Sequence, residues 1–186
     1  MKNIPLISIF ILLLGTGAFF ARNIPPLIPA KLVDIRNDKT INSHSIMLIH
    51  REAGINGHVF IATADYSNQD STPVNSGIGL YINSKASLIE VFQGDSEGEF
   101  LDDFDDALSN GRNVKHNLVV YVNRVEFDRV FQIIHNYTKT KSKYSIFSND
   151  CVSFVDIIAN EMKLKTPSRT LNPTPNMYIQ SLFNLN

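Results

Sequence analysis

Tryptophan is absent from the 186 residues, and cysteine occurs once, at Cys151. One cysteine cannot close a disulfide within the chain. It also cannot join the five histidines in a zinc cluster of the usual spacing, so no metal or cofactor is expected. A formal net charge of −1 leaves no basic footprint for a nucleic-acid partner. No internal repeat or low-complexity block appears. What remains is an ordinary globular composition, 44% apolar and 19% charged, long enough to bury one core without a covalent staple.

The beginning of the chain reads as a targeting segment. Lys2 precedes an apolar run from Ile4 to Leu14, and Gly15-Thr16-Gly17-Ala18 supplies small residues for cleavage after Ala18. Cleavage after Ala21 puts Phe19 in a poor position. The alternative is an uncleaved anchor, because Ile4–Ala21 is 18 residues, near the lower limit for crossing a bilayer. With no cysteine after the apolar core, a lipoprotein anchor is excluded. The expectation is a signal or anchor over residues 1–21, a proline-rich linker over 22–30 and one domain over 31–186, periplasmic or secreted.

Within that domain, Ser45–His50 and His58–Thr63 read as a hairpin of buried strands around the Asn56-Gly57 turn. Asp65–Gly77 reads as a polar loop, Ile78–Ile82 and Leu88–Phe92 as strands, and Gln93–Glu99 as a loop. Phe100–Leu108 reads as a short acidic helix whose aspartates lack the spacing of a calcium loop. Asn117–Val122 is a further strand. Asn123 with Glu126 opens an amphipathic helix through Tyr137. Pro173 and Pro175 introduce a last helix through Met177, Ile179 and Leu182. Strands come first, with helices interspersed, which argues α+β.

The stretch Tyr144–Ile158 carries the chemistry. Asn149 and Asp150 are good helix caps, and Val152, Val155, Ile158, Ala159 and Met162 follow at helical spacing. Cys151 thus falls on the first turn, where the backbone dipole and unpaired N–H groups favour the thiolate. The neighbouring Asp150 works against that, so its role is to cap the helix. A buried cysteine is by default an inert small hydrophobe, and a partner base decides the matter. His135 reads as helix surface, His44 and His116 as solvent-exposed strand entries, and His50 as a competitor at a strand end. His58 is the best placed, held rigidly at a strand start after a glycine turn.

Tyr144 with Asp150-Cys151-Val152-Ser153-Phe154-Val155 resembles the nucleophile segment of NlpC-type papain-like cysteine hydrolases, and Gly57-His58-Val59-Phe60-Ile61 resembles their histidine strand. Histidine precedes cysteine here, as in the circularly permuted branch that includes lecithin retinol acyltransferase-like proteins. Pro173-Thr174-Pro175 is similar to that branch too. The resemblance spans roughly residues 46–182. It implies a permuted papain-like fold, with an antiparallel sheet packed against the cysteine helix. It also implies Cys151 as nucleophile, His58 as general base, the Cys151 backbone N–H in an oxyanion hole, and Tyr144 and Asp150 at the substrate pocket.

A third polar residue that orients the histidine is expected from the next strand, where Asn75, Ser76 and Tyr81 are the options. Val152 and Phe154 depart from the serine and glycine of the usual motif. The function implied is an exported peptidase or amidase acting through a thioester, with peptidoglycan peptides as substrate. The alternatives are a lipid acyltransferase or lipase using the same pair near a membrane, or a catalytically silent envelope-binding domain.

Overall fold

A computed structural model describes residues 30–39, 44–52, 57–65, 74–102, 114–140 and 143–186. In chain order its elements are β1 (Ala30–Asp34), β2 (His44–Arg51), β3 (His58–Asp65), β4 (Val74–Ile82), α1 (Leu88–Gln93), β5 (Ser96–Leu101), β6 (Val114–Val122), α2 (Arg124–Lys139), β7 (Lys143–Tyr144), α3 (Cys151–Glu161) and α4 (Pro175–Leu185). The fold is mixed α+β. Among the described residues seven strands form one sheet, in the order β1-β6-β2-β3-β4-β5-β7.

The sheet centres on β2 and β3, which pair antiparallel from His44↔Asp65 to Arg51↔His58. Both strands are buried almost throughout, which matches their near-continuous apolar sequences. Alternation divides them between two faces. Ile46, Leu48, Val59 and Ile61 join Leu118, Val120 and the apolar sides of α2, α3 and α4 in the main core. Ile49, Phe60, Ala62 and Val114 form a smaller cluster on the other side. Helix α3 buries Val152, Phe154, Val155, Ile158 and Ala159 against the sheet. Each of the larger side chains contributes about 1.5–3 kcal/mol relative to exposure.

Several expectations give way. The sheet is not wholly antiparallel: β1 runs parallel to β6, and it begins at Ala30, the last residue of the expected linker. Leu88–Phe92 is a helix rather than a strand. Ser87 accepts from Glu90 N–H while the Glu90 carboxylate returns to Ser87 N–H, and Gly94 closes the helix in the left-handed region at φ 75°. These caps outweigh the apolar run, of which Val91 is buried while Ile89 and Phe92 are exposed.

Residues 96–101 form strand β5 rather than loop and helix, because β4 and β7 supply hydrogen-bonding partners on both sides. The rest of the expected acidic helix, 103–108, lies outside the described residues, as do residues 1–29 and most of the 65–77 loop. No helix among the described residues is long and apolar enough to cross a membrane.

Candidate active site

Helix α3 begins at Cys151 because Asp150 caps it. One Asp150 carboxylate oxygen accepts from the backbone N–H and the hydroxyl of Ser153, each at 2.9 Å. The loop before it is tied on three sides. Ser145 and Asn149 exchange backbone hydrogen bonds at 2.9 Å. Tyr137 donates its hydroxyl to the Asn149 side chain, which in turn donates to the Lys143 carbonyl. The start of the helix is therefore held by α2 and β7 as well as by its own cap.

Cys151 and His58 line the same cavity, of about 290 Å³, together with Gly57, Tyr144, Phe147 and Pro173–Pro175. Cys151 is 4% exposed. Burial pushes its pKa up to about 12. The Asp150 charge adds to that, while hydrogen bonding from the Val59 and Val152 backbone and the charge of Arg169 pull it down. This corrects the expectation that the helix dipole leaves a thiolate at rest: a sulfur taken out of water loses more than the dipole returns. Burial also raises the Tyr144 phenol, with Cys151 and Asp150 adding to the shift.

His58 is 6% exposed. As the residue before the helix-facing Val59, it falls on the sheet face of Phe60, and it meets Cys151 only as a fellow lining residue of the cavity. Its ring lies against Tyr81, centroids 4.0 Å apart, and is stacked with Phe60 at 6.5 Å. The Tyr81 hydroxyl accepts from Arg51 at 2.7 Å. Of the three candidate orienting residues, Tyr81 touches His58, and it does so with its ring face. Asn75 and Ser76 stand opposite Ala64 and Thr63. At about 3.3 Å per residue they lie roughly 15–20 Å along the sheet from His58.

The other histidines divide sharply. His135 sits exposed on α2, at the mouth of a separate cavity with Ile134 and Phe100. His44 is buried rather than exposed. Its Nδ1 lies 3.0 Å from the Asp65 carboxylate and its ring stacks on Phe127. His50 stands opposite Val59 on one neighbouring strand and His116 on the other, and so shares the helix-facing side of the sheet. It is 3% exposed, and neither ring nitrogen has a hydrogen-bond partner among the described residues. Burial, then His116, depresses its pKa to about 4. Burial lowers His116 as well.

Gly57 leaves room for that ring. A Cβ there would fall 2.3 Å from His50 Nε2 and 3.0 Å from the Arg51 carbonyl, and its φ of 74° disfavours side chains in any case. Sequence reasoning weighed Gly57 as a turn residue and had no means of seeing this second reason for it.

Arg169 was missed altogether. Its guanidinium pairs with Asp150 and donates to the carbonyls of Asn172 at 3.2 Å and Pro173 at 2.8 Å. Nothing in the spacing of Asp150 and Arg169 signals that contact, which depends on how the chain turns back after α3. Among the described residues no three His, Cys, Asp or Glu side chains gather into a metal-binding group. Comparison with models of protein families, with curated proteins and with solved structures returned no match.

Proposed function

We propose that the chain is an exported thiol hydrolase of the circularly permuted NlpC-type papain-like group, cleaving an amide through a thioester on Cys151. The observation that carries this reading is the shared cavity, with a cysteine on the first turn of a helix and a buried histidine in its walls. With the thiol pKa near 12, the sulfur is protonated at rest. Its proton must leave as the sulfur attacks, and His58 is the base assigned to accept it. The attacked carbonyl oxygen gains negative charge beside the start of α3, where the backbone N–H of Cys151 is assigned to stabilise it. Protonated His58 then delivers the proton to the leaving amine. Water, deprotonated by the same imidazole, hydrolyses the thioester.

Peptide amides of the cell envelope are the proposed substrates. A second reading, acyl transfer or hydrolysis on lipids, is favoured by the rim of the cavity. Phe147, 70% exposed, meets Phe92, 58% exposed, with ring centroids 6.1 Å apart, an apolar lip suited to an acyl chain. Incubation with peptidoglycan stem peptides and with phospholipid vesicles, followed by mass spectrometry, separates the two. Product from the first alone is expected. Product from the second alone selects the lipid reading. Product that persists in Cys151→Ala removes both.

A further inference from the structure

We propose that Arg169 is a positioning residue of the thiol site: anchored between the cap of α3 and the chain before α4, it fixes a positive charge on the Asp150 carboxylate and screens that carboxylate from the sulfur. This rests on the reading of Cys151 as the reacting group. One edge of the guanidinium meets the Asp150 carboxylate oxygen that does not cap the helix. The other nitrogen donates to Asn172 and Pro173, the last turn of chain before Thr174 caps α4. Pro173, Thr174 and Pro175 line the cavity together with Cys151.

The starts of two helices are therefore joined through one side chain. The forked donor set of arginine makes both contacts at once, whereas a lysine ammonium lacks that planar fork. The site has need of such a cation. Asp150 raises Cys151, Tyr144 and Tyr137, while Arg169 lowers Cys151, Tyr144 and Tyr178. Among the described residues lining the cavity, the other titratable side chain is His58 on β3. Tyr178, which Arg169 also affects, donates its hydroxyl to Asp156. Among these neighbours Arg169 is the fixed positive charge.

The test is alkylation of the full chain by iodoacetamide between pH 7 and 10, read by intact mass; the single cysteine makes the product unambiguous. Asp150→Asn keeps a good cap and removes the unfavourable charge, so alkylation should quicken by about tenfold. Arg169→Met should slow it by about tenfold at each pH below the thiol pKa. The double variant Arg169→Met/Asp150→Asn should return to within about threefold of the parent, because both charges are gone.

An Arg169 that merely packed would give another result. Its loss would loosen the wall and speed alkylation at every pH, and Asp150→Asn would not correct it; that outcome overturns the proposal. An unchanged rate in Asp150→Asn, the variant least prone to misfold, overturns it as well. Turnover does not enter the measurement. A chain that passes this cycle yet cleaves nothing loses the hydrolase reading and keeps this role for Arg169. A chain that cleaves substrate but fails the cycle loses only this role.

Discussion

The two ends of the β2–β3 hairpin each bury histidine, and they treat it in opposite ways. At the His44 end the ring is sandwiched between a carboxylate and an aromatic: Asp65 lies 3.0 Å from Nδ1, and Arg124 approaches Asp65 at 3.6 Å. Phe127 of α2 covers the ring. That end is built as core. At the His58 end the hairpin opens onto the cavity of Cys151, His50 is buried with both nitrogens unpartnered among the described residues, and a glycine makes room beside it. A buried polar group without a partner costs stability. At the cavity end both nitrogens of His50 bear that cost, whereas at the other end His44 Nδ1 at least has a carboxylate 3.0 Å away. Burial alone therefore does not distinguish a structural histidine from a working one. The company it keeps does.

The largest effects should separate the two ends through activity. His58→Gln is expected to lower turnover of whichever substrate proves productive by about 10²–10⁴-fold, the usual worth of a general base. His44→Gln should leave turnover within a few-fold. His50→Gln should also stay within a few-fold. If His50→Gln instead causes the large loss and His58→Gln does not, the base is the imidazole on the helix-facing side of the sheet.

Acid should next weaken the cavity end. The folded-state pKa of His50 is held near 4, below the ordinary 6.5. The unfolded chain therefore takes up a proton that the folded chain refuses. The stability His50 contributes is fully present above about pH 6.5 and is lost as pH falls towards 4, up to about 3 kcal/mol in all. Urea unfolding across that range should show the slope, and His50→Gln should flatten it.

Gly57→Ala tests the room made for the ring. The φ of 74° and the approach to His50 should cost about 1–3 kcal/mol in the same unfolding experiment. The smallest effect belongs to the other end. Asp65→Asn removes a partly exposed carboxylate from His44 and should cost about 0.5–1.5 kcal/mol. It should leave Cys151 alkylation unaltered.

Much of this was legible from the residues in order. Val59–Ala62 and Ile46–Ile49 announce buried strands, and Asp150 before Cys151 announces a helix start. Where the chain misleads, a longer-range term has the deciding voice, or a cap is outvoted by eye. Ser96–Leu101 has little intrinsic preference for a strand and becomes one because β4 and β7 flank it. Leu88–Phe92 is apolar enough for a strand, yet Ser87, Glu90 and Gly94 already spell a short helix.

The site was legible in its two reactive residues and not in their setting. A helix-start cysteine suggests a low pKa until the degree of burial is known, and burial is a property of the whole fold. Tyr81 beside His58 follows from strand pairing, and Arg169 beside Asp150 from the course of the chain after α3; neither is a local pattern.

The most direct measurement concerns whether the imidazole of His58 serves the sulfur of Cys151. Mixing the full chain with an activated acyl ester and following its intact mass should show one acyl group on Cys151, forming at neutral pH far faster than on a small thiol of comparable pKa. That advantage should vanish in His58→Gln while the chain stays folded. Acylation that is equally fast without the imidazole, or no acylation of the parent chain, would contradict the account.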